Sequence, residues 1–390
     1  MSLSVCLLTR NEEAHVARAI RSVAGLADEV IVADTASRDR TAQVAAGLGA
    51  RVVQFPWDDD FAAGRNFALG HATGDWVLWL NATEELLPAS HATLRECLTR
   101  DNVFGYFVLV QHPVDEDPTA GFGEALDLRL FRRRPDVRFV GRLHPTFTPE
   151  VVEAVRRDGL AVAPCGVTLR AVPAGERGES KLRWTARLLE LELRDRPGQL
   201  HYLIEYGRTL LRLNDARGHA VLAEAAGQVA AVRGAAAAPA LKVQALLGYL
   251  LDTPPGSVRG PLTRADAHEL ALRWFPASPP LLYKCAEDCF RRDDFRRARE
   301  LLERLVHLGR TGGYDRSRAF DPGLVGDDAL INLAACHRRL GDLDRAEQCY
   351  RQLLDSPHFR AQAARELAAV QAERRPGGPF SFTIMSEGVE

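Results

Sequence analysis

The chain has 390 residues, a length that predicts two or three domains. With 46% apolar and 26% charged residues it has the composition of a globular protein, which excludes wholesale disorder. Fifty basic against 52 acidic residues leave a formal charge of -2, and only Lys181, Lys242 and Lys284 are lysines, a balance that argues against a general nucleic-acid binder.

The first apolar run, 4–8, reads as a strand. It meets Arg10 and Glu12 too soon to be the core of a signal peptide. A helical pattern follows over 12–24, then a strand at 29–33, a helix at 39–48, a strand at 51–55, a helix at 61–71 and a strand at 76–80. Continuous apolar strands alternating with helices of about ten residues predict a mostly parallel sheet covered on both faces. Right-handed crossovers put the carboxyl ends of such strands on one edge, which is where open α/β sheets bind ligands. The search for function therefore starts at 9–12, 34–39, 58–66 and 81–85.

From about residue 179 the strand signal ends and helical patterns run to about 372. Asn332, Leu333 and Ala334, then Gly341-Asp342-Leu343, Ala346, Tyr350, Leu353 and Pro357, resemble a tetratricopeptide repeat, in which small residues let two helices approach closely. A weaker copy carries Cys285, Ala286, Cys289, Asp294-Phe295, Ala298 and Leu302, and a third lies around Tyr206, Gly207 and Leu210. A glycine-rich insert, 309–326, stretches the spacing between the first two. Cys285 and Cys289 sit four apart on one helix face and read as buried thiols; no Cys-x-x-Cys pair among the seven cysteines suggests zinc. The alanine-rich stretch 220–251 is broken by Glu224, Gln228, Arg233 and Lys242, so no membrane span is expected, and the setting expected is cytoplasmic. The domain boundaries expected are 1–175 for an α/β domain, 176–198 for a connecting helix, 199–375 for an all-α tetratricopeptide-like domain and 376–390 for a tail.

The segments LLTRNEEAHVARAIRSV, DEVIVADTASRDRT, DDDFAAGRNFAL and GDWVLWLNATEEL, in that order, resemble the family-2 glycosyltransferases with the GT-A nucleotide-sugar fold, particularly a branch with tetratricopeptide helices after the catalytic domain. The resemblance covers about 170 residues closely. It implies a Rossmann-like GT-A domain and transfer of a sugar from a nucleotide-diphosphate sugar, UDP-linked, by an inverting single displacement. The acceptor implied is a peptide, protein or glycan, presented by the helical domain, which also offers a surface for a protein partner.

Each candidate residue carries two readings. Asp34 ends the second strand, where a carboxylate can accept the imide N–H of a uracil, as its family counterpart does; the alternative is a helix cap, for which Ser37 and Asp39 are better placed. Thr9, Arg10, Asn11 and Glu12 follow the first strand, and the resemblance sets them beside the nucleoside, although Asn11 and Glu12 also suit a helix start. Arg65 and Asn66 lie early in a helix, near the donor by resemblance, where an arginine can grip a pyrophosphate bidentately. The alternative has Arg65 neutralising the acidic turn 58–60.

Relatives carry Asp-x-Asp after the fourth strand to hold a divalent cation, Mg²⁺ or Mn²⁺, on the diphosphate. Here the motif is Asn81-Ala82-Thr83, with Glu84 and Glu85 next. Asn81, Thr83 and His144 are the candidate metal ligands. The hairpin ALDLRLFRRRPDVRFVGRLHP resembles the family's acceptor-side hairpin, with Arg129 and Arg142 as candidate phosphate ligands. Pro145 stands where relatives place a glutamate, so the general base that the acceptor needs falls to Glu84, Glu85, Asp127 or Glu124. The alternative function is a catalytically degenerate transferase that binds nucleotide sugar or partner proteins as a scaffold.

Overall fold

A computed structural model describes residues 1–113, 122–172, 178–253 and 260–374. The expected tail, 376–390, and the 175/176 boundary lie outside the described residues. The first half runs β1 (Leu3–Thr9), α1 (Val16–Ser22), β2 (Glu29–Asp34), α2 (Thr41–Gly47), β3 (Arg51–Gln54), α3 (Phe61–Gly70), β4 (Trp76–Trp79) and β5 (Glu84–Leu86). It continues with α4 (His91–Leu98), β6 (Val103–Pro113), β7 (Phe122–Arg132), β8 (Phe139–Val140), β9 (Thr146–Phe147), α5 (Pro149–Arg157) and β10 (Ala161–Ala171).

The four strands read from the sequence form the parallel block. β1 pairs in parallel with β2 and β4, and β2 with β3. β7 then joins β4 antiparallel and the sheet runs β3-β2-β1-β4-β7-β6-β10-β5. Its inner strands are apolar because both faces are covered. One face packs Val5, Leu7 and Leu78 against Val16 and Ile20 of α1 and Leu94 of α4; the other packs Cys6, Ile31 and Val77 against Ala68 of α3 and Val151 of α5. The helix expected over 12–24 begins only at Val16, because residues 12–15 turn first; the other predicted elements of this block agree to within two residues.

The second half is helical: α6 (Glu179–Asp195), α7 (Leu200–Arg212), α8 (Arg217–Ala231), α9 (Val243–Asp252), α10 (Arg264–Trp274), α11 (Pro279–Arg291), α12 (Phe295–Thr311), α13 (Asp327–Arg339), α14 (Leu343–Gln352) and α15 (Arg360–Glu373). The best repeat of the sequence is the α13–α14 pair, with Ala334 and Ala346 fully buried and Asp342 capping α14. The second is α11–α12, capped by Asp294, with Cys285 and Cys289 buried in its core. In the third, α7–α8, Gly207 and Gly218 let the backbones touch: a Cβ on Gly218 would lie 2.5 Å from the Gly207 carbonyl. This is the small-residue logic of the repeat, and the chain joins a GT-A-like α/β half to a tetratricopeptide-like array. Among the described residues no helix is long and apolar enough to cross a membrane.

The halves meet along a seam that forms one wall of the site. Trp184 of α6 packs on Trp57 and Phe61, and Leu143, Leu188, Leu189 and Tyr202 make a small core of their own. The Tyr202 hydroxyl donates to the Leu143 carbonyl at 3.0 Å. Gly141 has φ +113°, a conformation that side chains rarely adopt, and a Cβ there would run into that same hydroxyl. The Gly141→Ala variant is expected to lose about 2–4 kcal/mol of stability in urea denaturation, while Gly159→Ala, a left-handed glycine in open space, loses no more than about 1–2 kcal/mol.

Candidate functional site

The carboxyl ends of β1 and β4 open into a cleft of about 590 Å³ between the sheet edge and the first two helices of the array. Leu8, Trp79 and Asn81 line it from the sheet, Arg65 from α3, and His144 from the loop between β8 and β9. Lys181, Trp184, Glu205 and Arg212 line it from α6 and α7.

Arg65 is its central charge. Asp60 caps α3 by accepting from the Ala63 N–H at 2.9 Å, which sets Arg65 in the first half of the helix. The guanidinium lies over the rings of Trp79 and Phe139, 4.7 Å and 5.3 Å from their centroids. Asn66 holds Phe139 in place by pairing with its backbone on both sides, at 2.9 and 2.8 Å, as a strand neighbour would. Arg65 makes no hydrogen bond or ion pair with another described residue. Burial, reinforced by the nearby Arg129 charge, lowers its pKa to about 9 against the pull of Asp127 and Glu84. Asp59, in the acidic turn, is bound instead by Arg187 at 2.8 Å.

Beside it lies a closed ion cluster. Arg129 donates both terminal nitrogens to Glu84, at 3.1 Å each, and its Nε to Asp127 at 2.7 Å. Glu84 also accepts from the Asn81 backbone N–H at 3.0 Å and from its side-chain amide at 2.8 Å. Those four bonds fill the four lone-pair directions of the carboxylate, so Glu84 has none to offer a metal ion or a substrate proton. Asp127 stays about half exposed; burial raises its pKa, but the charge and hydrogen bond of Arg129, with Arg65, more than offset that and hold it below the ordinary carboxylate value. Glu124 accepts from Gln111 further along β7 at 3.2 Å, and Glu85 lies half-exposed on β5 opposite Arg170.

The remaining predicted residues are placed apart from this centre. Asp34 is 1% exposed and accepts from Thr9 Oγ1 at 3.2 Å, from the Ser37 N–H at 3.0 Å and from the Ser37 hydroxyl at 2.5 Å; Asp39 accepts from the Thr41 N–H at the start of α2, at 3.0 Å. Asn11, at φ +55°, links the first loop to the second through Ser37 and Arg38, and the Glu12 N–H donates to Thr41 at 2.7 Å. Arg10 is exposed beside them. Arg142, expected near phosphate, instead bridges the seam to Asp195 at 2.7 Å and to the carbonyls of Asp58 and Asp59. His144 turns to α7 and contacts Glu205 at 2.6 Å, and Lys242 holds the other Glu205 oxygen at 2.8 Å.

This donor set does not suit a divalent cation. Of the candidate ligands, His144 is engaged by Glu205 and Glu84 is saturated by Arg129 and Asn81, which leaves the neutral Asn81 amide oxygen and Thr83 hydroxyl, donors without the charge that a hard cation wants. Among the described residues no group of three or more His, Cys, Asp or Glu side chains is gathered for an ion. The charge that faces the cleft from α3 is the Arg65 guanidinium.

Sequence reasoning missed the helical wall. Trp184, Glu205 and Arg212 come to the cleft only because α6 and α7 fold back on the sheet. The only signal available was the helical spacing of Glu205, Thr209 and Arg212, which puts them along one side of α7.

The Glu205 carboxyl is raised by burial but held at about 2 overall by His144 and Lys242. Its folded value is thus depressed, so its stabilising effect is complete above its ordinary value of 4.5 and is lost as pH falls toward 2. Urea denaturation from pH 6 down to pH 2.5 is expected to show a loss on the order of 2–3 kcal/mol that Glu205→Gln no longer shows.

Residues 4–132 match the family model described as Glycosyl transferase family 2. A TPR repeat-containing protein of Synechococcus elongatus is 41% identical over 143 residues, 36% of this chain and 34% of that protein. An uncharacterized glycosyltransferase of Rickettsia typhi is 45% identical over 84 residues, 22% of this chain and 28% of that protein. The chain thus spans about a third of the length of the curated relatives it matches. Among solved structures, mannosyl-3-phosphoglycerate synthase from Rubrobacter xylanophilus is 18% identical over 50% of this chain and 74% of its own, with a TM-score of 0.35, too slight a likeness to bear on substrate. Through residues 4–132 the N-terminal α/β half of this chain resembles glycosyl transferase family 2.

Proposed function

We propose that the chain transfers a sugar from a nucleotide-diphosphate sugar, UDP-linked, to an acceptor that enters between the sheet edge and the helical array, by a single inverting displacement. The observation that carries this reading is Arg65: a partly buried guanidinium without a carboxylate partner among the described residues, held on two aromatic rings and facing an open cleft at the carboxyl edge of an α/β sheet. Burying a charge without a counter-ion costs stability, and a bound anion offsets that cost.

In this reading the Arg65 fork grips the pyrophosphate and stabilises the charge that develops on it as the glycosidic bond breaks. Trp79 and Phe139 hold the guanidinium in place, so little ordering remains for the moment of reaction. Asp34 keeps one Oδ2 lone pair free of the loop, and that lone pair accepts the uracil imide N–H, while Thr9, Asn11 and Glu12 frame the nucleoside. Asp127, ionised at neutral pH and open to solvent on one side, takes the acceptor's proton. Glu84 and Arg129 position Asp127 and Asn81 and do not themselves touch substrate. No step is routed through a metal ion, because the residues do not fit one. An open cleft with an uncompensated cation also counts against an idle scaffold.

Arg65→Met is expected to leave thermal stability unchanged or slightly raised, since no partner is stranded, while UDP-sugar hydrolysis or transfer falls at least 100-fold. Equal activity in the variant would end the proposal. Asp34→Asn is expected to weaken UDP about tenfold in calorimetric titration and to leave pyrophosphate affinity within twofold. Turnover measured with and without EDTA is expected to agree within twofold; a collapse on chelation would assign the diphosphate to a metal ion.

A further inference from the structure

A second cavity, of about 360 Å³, opens on the helical half on the other side of α7. Arg208 and Arg212 of α7 and Arg318 of the glycine-rich insert project into it, over an apolar floor that includes Leu211, Ala245 and Leu281. Arg212 also lines the donor cleft, so the two cavities share one wall residue.

The three guanidiniums make no hydrogen bond or ion pair with another described residue. The acids nearest to them are already engaged: Asp252 takes Lys284 at 2.6 Å, and Glu205 is held by His144 and Lys242. Burial lowers the pKa of Arg208 and of Arg318; the Glu205 charge opposes the shift in both, and a neighbouring arginine, Arg212 for the first and Arg208 for the second, adds to it.

The insert that carries Arg318 is anchored at several points. Asp315 accepts from the Gln244 amide at 3.0 Å, the Asp315 N–H donates to the Ala277 carbonyl at 2.8 Å, and the Arg316 carbonyl takes the Leu126 N–H of β7 at 2.7 Å. Tyr314 and Phe320 close the loop edge to face, with ring centroids 5.2 Å apart. The fold thus holds like charges together where solvent dispersal would separate them, an arrangement that an anion relieves.

We propose that this groove binds the phosphate group of a phosphorylated small molecule, its carbon body lying on the apolar floor. Three planar forks without a matching carboxylate suit a doubly charged tetrahedral oxyanion better than a single carboxylate. The volume fits a small molecule and not a folded domain, and the shared Arg212 places it next to the donor cleft.

The test uses the full chain in an Arg65→Met background, which removes the cleft's own anion site, and follows inorganic phosphate by ³¹P line broadening. Phosphate is expected to bind, to weaken at least tenfold in Arg208→Ser/Arg318→Ser, and to weaken only three- to fivefold in Arg208→Lys/Arg318→Lys, which keeps charge and fold but loses the fork. Absence of binding, an unchanged affinity in the serine variant, or equal affinity for succinate would each overturn the assignment. UDP titration of the unaltered chain is read separately: its failure would remove the transferase reading and leave the groove's result standing.

Discussion

The buried pair of Glu84 and Arg129 sets the character of the cleft. It joins β5, the short strand that follows β4 in sequence and pairs with β10 at the end of the sheet, to β7 in the middle of the sheet, and it recruits both amide groups of Asn81 into the same lattice. Breaking such a pair by removing one partner typically costs about 3–5 kcal/mol, because the survivor stays buried and charged. It therefore fixes where the strand-end loop lies. It also decides the electrostatics, since the Glu84 carboxylate is consumed and Arg65 is left without an ion-pair partner among the described residues.

From that lock the rest of the architecture follows outward. Arg65 keeps its place because Trp79 and Phe139 brace it, Phe139 because Asn66 pairs with its backbone, and Asn66 because Asp60 starts α3 at the right turn. On the far wall, α6 and α7 are tied to the same region by the aromatic contact of Trp184, by Arg142 with Asp195, and by the His144–Glu205–Lys242 chain. A sheet edge that would otherwise be an open shelf becomes a lined cleft.

The sequence made the parallel block legible because each of its strands is a continuous apolar run followed by a helix, and a local pattern suffices. The repeat pairs were legible for the same reason: Ala334, Ala346 and Gly341-Asp342 encode close helix packing and a cap within a few residues. β5 and β10 carried no such signature; three residues of Glu-Glu-Leu become a strand only through pairing with residues 169–171. The site was legible in part. Arg65 stood out by position, but the partners that decide roles are remote: Arg129 reaches Glu84 across 45 residues, and Arg142 spends its charge on Asp195, 53 residues away. The shift of Asp34 from an open strand end to a loop-bound carboxylate likewise depends on Ser37 and Thr9 converging in space.

α7 separates two cavities, with Glu205, Thr209 and Arg212 on one side and Arg208 and Arg212 on the other. A rigid rod of 13 residues cannot shift toward one chamber without retreating from the other. Whatever occupies one side and displaces that rod changes the free energy of filling the other, and by thermodynamic linkage the influence runs equally in both directions. The helix that parts the two cavities, with Arg212 reaching into both, is the element through which any such influence would pass.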